Sequence, residues 1–112
     1  MKSLLLFLIV GGAAPLNGFA QNVLGACDSP IYEQRSMELQ KIVKADQDDR
    51  QKMPLPPSVL LRDLKRRMRV GEIFGEGCFK SAADYAAAAP VYQHGTTPDH
   101  FYQTFIWSQK GR

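Results

Sequence analysis

Apolar residues crowd the start of the chain and then settle into a 3.6-residue rhythm that runs to its end, with only weak strand-like alternation. The opening stretch differs in kind. Met1-Lys2-Ser3 carries a positive charge, Leu4 to Val10 is unbroken hydrocarbon, and Gly11-Gly12-Ala13-Ala14-Pro15-Leu16 brings it to a helix-breaking end. Gly18 and Ala20 then place small residues three and one positions before Gln21, the pattern that a signal peptidase admits. A bilayer-spanning helix needs about 20 mostly apolar residues, and Pro15, Asn17 and Gly18 end this run well short of that. The expected organisation is a cleaved signal peptide over 1–20, an extended segment over 21–29 and one small helical domain over 30–112.

Within the domain the spacing predicts an all-α fold of about four short helices packed as helical hairpins. The first opens at Ser29-Pro30, with serine as cap and proline preset for the first turn, and runs to about Lys52. Its inner face is Ile31, Leu39, Ile42, Val43 and Met53. Pro54, Pro56 and Pro57 then impose a stiff connector, because proline lacks an amide hydrogen and disfavours helix in the residue before it. The second helix follows Ser58 and reaches about Phe74, with Leu60, Leu61, Leu64, Met68 and Ile73 inward, and Gly75 and Gly77 end it. Ser81 and Asp84 form a capping box for an alanine-rich third helix ending near His94, which Pro90 should kink or restart and Gly95 should stop in a left-handed turn. Thr97-Pro98-Asp99 opens the fourth, which reaches Lys110 and turns Phe101, Phe105 and either Ile106 or Trp107 onto Ala82, Ala86 and Ala89.

So small a domain draws only a few kcal/mol from its core, which gives weight to Cys27 and Cys78. In an oxidising compartment they would close a loop of about 50 residues and add roughly 2 to 4 kcal/mol. Leu24-Gly25-Ala26-Cys27 also reads as a lipoprotein box, and acylation of Cys27 would leave Cys78 unpaired. The two fates exclude each other. Asn17, Gln21 and Asn22 separate the apolar run from that box and favour export to the periplasm or the medium, with a lipoprotein anchored at Cys27 as the alternative.

A net charge of +3 is modest, and with export it excludes nucleic acid as the expected partner. Arg62, Lys65, Arg66 and Arg69 lie on one flank of the second helix, beside its leucines, an arrangement suited to weak contact with an anionic membrane surface. The same cations are also placed to neutralise Asp46, Asp48 and Asp49, which crowd the helix end where the dipole disfavours negative charge. No glycine-centred calcium loop surrounds those acids. His94 and His100, six apart, do not have the spacing of zinc ligands on a helix, so no metal or other cofactor is expected.

His94 stands at a helix end between Gln93 and Gly95, either as a cap on the last carbonyls or as a general base. In order, Glu38-Leu39, Asp46-Gln47-Asp48-Asp49-Arg50, Asp84-Tyr85 with Ala86 to Ala89, Tyr92-Gln93-His94-Gly95-Thr96-Thr97-Pro98, Trp107 and Lys110-Gly111 resemble a family of small helical bacterial proteins without assigned function. Its members pair an Asp-Gln-x-x-Arg motif with a later Gln-His motif. The resemblance covers most of residues 36–111 and implies that Asp46, Gln47, Arg50, Gln93 and His94 meet as a polar patch. It also implies a further helix and a glutamine-containing tail after Lys110-Gly111, so the chain reads as a C-terminally short member. The expected function is that of an exported binding or interaction module for a protein or peptide partner. Two alternatives stand beside it: a hydrolase-like enzyme with His94 as base and Asp46 orienting it, and a truncated remnant without independent function.

Overall fold

A computed structural model describes residues 27–112. The expected signal peptide and residues 21–26 of the expected extended segment lie outside the described residues; Cys27 and Asp28 are non-helical, and Ser29 already belongs to the first helix. The described chain is all-α, built of α1 (Ser29–Asp49), α2 (Val59–Gly75), α3 (Ala82–Gln93) and α4 (Pro98–Lys110). The helix starts follow local chemistry. Pro30 sits in the first turn of α1, but Asp28 is the extended residue before it and makes no side-chain cap, so Ser29 is helical and is not itself the cap. Ser58 likewise leaves the helix start uncapped, and its hydroxyl takes a bond from Arg62 instead. Ser81 with Asp84 and Thr97 with His100 complete reciprocal capping boxes on α3 and α4, the second with a histidine in the position usually held by an acid.

The helix ends are a partial match to expectation. α1 stops at Asp49, short of Lys52, and Arg50 and Gln51 turn back to the carbonyls of Gln47 and Asp48. α3 runs through Pro90 without ending. The ring removes only the bond to the Ala86 carbonyl, and Ala86 is exposed, so water can take its place. Gly95 is not the left-handed stop. Among the described residues the glycine at positive φ is Gly77, at 77°, in the turn after α2. Gly95 is required for space, since a Cβ there would lie 2.4 Å from the His100 ring.

The core gathers Leu39 from α1, Val70 and Ile73 from α2, Ala87, Ala88 and Val91 from α3, and Trp107 from α4. Trp107 is its aromatic centre, with ring centroids 4.7 Å from Tyr92, 5.2 Å from Phe79 and 5.3 Å from Phe74. Ile42 and Val43 pack against this core as predicted. Several expected inward residues do not. Leu60, Leu61, Leu64 and Met68 all face outward, as do Phe101 and Phe105 on α4, while Ile31 and Met53 are exposed on and after α1. α4 approaches the alanines of α3 through Thr104, whose hydroxyl bonds the Ala89 carbonyl, and through Gly111, which lies against the Ala86 backbone.

The reason for the reversal on α2 lies in α1. The face that α2 turns inward is Val59, Asp63, Arg67, Val70 and Ile73, two of whose five members are charged. Ion pairs make the seam between the two helices: Arg35 with Glu76, Glu38 with Arg69, Asp49 with Arg62 and Arg66, and Arg50 with Asp63. Rotating the leucines inward would strand those charges, and an unpaired buried charge costs more than an exposed leucine. Cys27 and Cys78 complete the frame as a disulfide, with Cα atoms 5.3 Å apart. That separation falls in the range such a bond requires. Lys80 braces the same corner by donating to the Cys27 carbonyl while lying over the Tyr32 ring.

Candidate functional site

Asp46, three residues before the end of α1, has no solvent exposure. Its Oδ1 faces His94 Nδ1 at 2.9 Å, and its Oδ2 accepts from Gln47 Nε2 at 2.8 Å. Arg50 Nη1 and Arg66 Nε stand farther from the same Oδ1, at 3.6 and 3.9 Å. Arg50 is spent on Asp63, which it grips through both nitrogens at 2.7 and 2.8 Å. Arg66 Nη2 is shared between Asp49 and Asp63, and Arg62 closes on Asp49 through two further bonds. Arg67 donates to the carbonyl of His94 at 2.7 Å, so α3 ends on a cation from α2 while its terminal imidazole points to a carboxylate from α1.

Four of the five residues of the expected patch therefore meet: Asp46, Gln47, Arg50 and His94. Gln93 does not join them. One residue earlier on α3, it is exposed and lines a groove of about 210 Å³ between α3 and α4, together with Pro90, Thr104 and Ser108. Consecutive helical positions are 100° apart, so the Gln-His pair serves two different surfaces. Of the basic flank on α2, Arg62, Arg66 and Arg69 are held by Asp49, Asp63, Glu38 and Glu72. Lys65 alone of the four makes no ion pair with the described residues, which removes most of the charge available to a membrane surface. Among the described residues no helix is long and apolar enough to cross a bilayer.

Two members of the cluster, Asp63 and Arg67, were not singled out by the sequence. Each is a charged residue on the buried side of an amphipathic helix, where the periodicity of the leucines points away. The signal that finds them is the 59, 63, 67, 70 spacing anchored by Val59 and Val70, read together with the acids of α1. Asp46, Asp63 and His94 each bring one donor atom to within 4.8 Å of the others. A cation entering there would have to displace guanidinium groups, since both oxygens of Asp63 already accept from Arg50 and one of them also from Arg66.

The ionic cluster sets the response to acid. Hydrogen bonds from Arg62 and Arg66 hold the Asp49 carboxyl well below its usual range. Burial pushes Asp63 up, but the guanidinium groups of Arg50 and Arg66 outweigh it and the net shift is down. Glu38 is lowered by its bond to Arg69. A carboxylate whose folded pKa is depressed contributes stability that is complete above its unfolded value, near 4, and is lost as pH falls toward the folded value. Helicity followed by circular dichroism at low salt should hold from neutral pH to about 4 and collapse only below it.

The class defined by fold and site is an all-α protein with a buried ionic cluster and a carboxylate–imidazole pair at the junction of three helices. Comparison of the chain with protein-family models, with curated proteins and with solved structures finds no match.

Proposed function

We propose that the chain is an exported, hydrolase-like enzyme in which the Asp46–His94 pair moves a proton. The contact that carries this reading is the 2.9 Å approach of His94 Nδ1 to a carboxylate with no solvent exposure, on an imidazole that itself stays about a quarter exposed. A carboxylate can only accept, so neutral His94 places its proton on Nδ1, and Nε2 keeps its lone pair. Gln47 and the three-helix junction fix the carboxylate, so the ring is oriented before any substrate arrives. Among the described residues no serine, threonine or cysteine side chain hydrogen-bonds to His94. The nucleophile is therefore water: Nε2 takes a proton from it as its oxygen attacks, and the imidazolium returns that proton to the leaving group. Export rests on the pattern of residues 1–20 and agrees with a disulfide in the mature chain.

The interaction-module reading is second. Its supporting observation is the exposed row Leu60, Leu61, Leu64 and Met68.

Asp46→Asn tests the first reading. Gln47 holds an oxygen on its side of the group, which turns the new amide nitrogen toward His94 Nδ1. A donor there moves the ring proton to Nε2 and removes the base. Long-range proton–nitrogen NMR of the His94 ring should show the Nδ1–H tautomer in the parent and the Nε2–H tautomer in the variant. Hydrolysis of a panel of chromogenic carboxylic and phosphoric esters should fall at least about tenfold with helicity retained. An identical tautomer in both proteins would discard the dyad.

A further inference from the structure

The cations of the cluster outnumber its acids. Arg50, Arg62, Arg66 and Arg67 stand against Asp46, Asp49 and Asp63, and among the described residues Arg67 has no carboxylate within ion-pair distance. Arg67 is 93 % buried, since only 7 % of its surface remains exposed, and the Arg66 side chain is buried to nine-tenths. In both, the Nε–H is buried and has no acceptor. The carbonyl end of α3 offsets part of the Arg67 charge through the bond at His94. It leaves the Nε groups of both arginines unanswered. Arg67 is thus short of both counter-charge and an acceptor, and Arg66, paired with Asp49 and Asp63, lacks an acceptor at Nε alone; a compact anion is the group that supplies what both lack.

Arg50 and His94 are each about a quarter exposed and both face the same oxygen of Asp46, so they form the solvent-facing rim of the cluster, and Arg66 Nε lies 3.9 Å from that oxygen on the buried side. Tyr92 stands beside Arg67 on the α3 side, its hydroxyl filling the space that the missing Gly71 side chain leaves on α2. Burial pushes that phenol up, against the opposing effect of Arg67, so it stays a neutral donor across the working pH range. The groups facing His94 and the rim are thus Asp46 from α1 and Arg50 in the turn after it, Asp63, Arg66 and Arg67 from α2, and Tyr92 from α3.

We infer that the rim of Arg50 and His94, with Arg66 and Arg67 behind it, is a subsite for a compact oxyanion, a phosphate or carboxylate group, carried by the substrate. The inference rests on the acid–base reading for its catalytic meaning, because the same His94 that serves as base borders the anion. Binding in this place puts the scissile group next to Nε2 and leaves the positive surplus to stabilise charge that develops during attack.

The test is a titration of the full chain, disulfide intact, with inorganic phosphate, with acetate and with chloride at constant ionic strength, followed through the arginine Nε–H and His94 ring resonances. Saturable shifts of Arg66, Arg67 and His94 with phosphate or acetate, and none with chloride, are expected. Tighter phosphate binding assigns a phosphoryl substrate, and tighter acetate binding a carboxylate one. Arg67→Gln keeps a donor for the His94 carbonyl and drops the charge, and it should weaken binding at least about tenfold. Arg67→Lys, which keeps the charge but lacks the guanidinium Nε–H, should recover only part of the binding that Arg67→Gln loses. Shifts that grow linearly and never saturate in the parent, or undiminished binding by a folded Arg67→Gln, would overturn the subsite. Asp46→Asn separates the two proposals. Anion binding that survives in a variant with the wrong tautomer retains the subsite, and a correct parental tautomer without anion binding leaves the dyad standing and removes the subsite.

Discussion

Replacing Asp84 by alanine is expected to cost about 3 to 4 kcal/mol and to lower Tm by more than about 10 °C. The residue is fully buried, and four donors converge on it. Its Oδ2 accepts from Tyr32 Oη at 2.7 Å and from the amides of Lys80 and Ser81 at 2.9 and 3.0 Å, while Oδ1 accepts from Ser36 Oγ at 3.0 Å. Burial by itself pushes this carboxyl up, yet these bonds favour the charged form and the net shift is down. Alanine leaves Ser36 and the two backbone amides without a partner, the amides being unable to turn elsewhere, and leaves Tyr32 Oη with only its longer bond to Ser81 Oγ. Asparagine should be milder, at about 1 to 2 kcal/mol, because its oxygen can keep the Oδ2 bonds while its nitrogen donates to Ser36, whose hydroxyl can rotate to accept. Urea unfolding of the two variants checks the order. Equal loss would mean that the charge, and not the donor set, is what the fold requires.

The second large effect concerns Cys27 and Cys78. The bond closes a loop with a sequence separation of 51, and loop-closure entropy for that length is worth about 4 kcal/mol, with native proteins commonly realising 2 to 4. Cys78→Ser should therefore destabilise by about 3 kcal/mol, and reductant should lower the Tm of the parent without affecting the variant. A parent indifferent to reductant would show that the corner formed by Cys27, Lys80 and Tyr32 holds without its covalent bond.

Helix number and order were legible because they rest on local rules: proline at a first turn, and serine or threonine three residues before a side chain that reaches back. The cysteine pairing was legible as one of two fates because the sequence holds two cysteines after an expected export signal. Asp46, Arg50 and His94 were legible as a group only through the order of short motifs. The orientation of α2 was not legible. Two stripes on that helix have helical spacing, and the more apolar one, Leu60 to Met68, is the one left outside. Choosing between them requires knowing that Glu38 and Asp49 of α1, and Arg50 just after it, project toward Arg69, Arg62, Arg66 and Asp63. That pairing is set by helices docking far apart in sequence, and a window along one helix does not contain it. The same limit misplaced Gln93, whose neighbour turns to the cluster while it turns to the α3–α4 groove.

The covalent loop also imposes an order in time. Cys27, α1, α2 and Cys78 all precede His94 in the chain, so a polypeptide made from its N-terminus has the whole ring in hand before the imidazole has been synthesised. Asp46 lies inside that ring and His94 outside it. Asp46 can thus take its place among the arginines early, and its pairing with His94 waits for the last two helices to dock. Loosening that C-terminal hairpin would undo the pair and leave the ring closed. The Asp46–His94 contact is in this sense late in forming, and it depends on the C-terminal hairpin, which lies outside the disulfide loop.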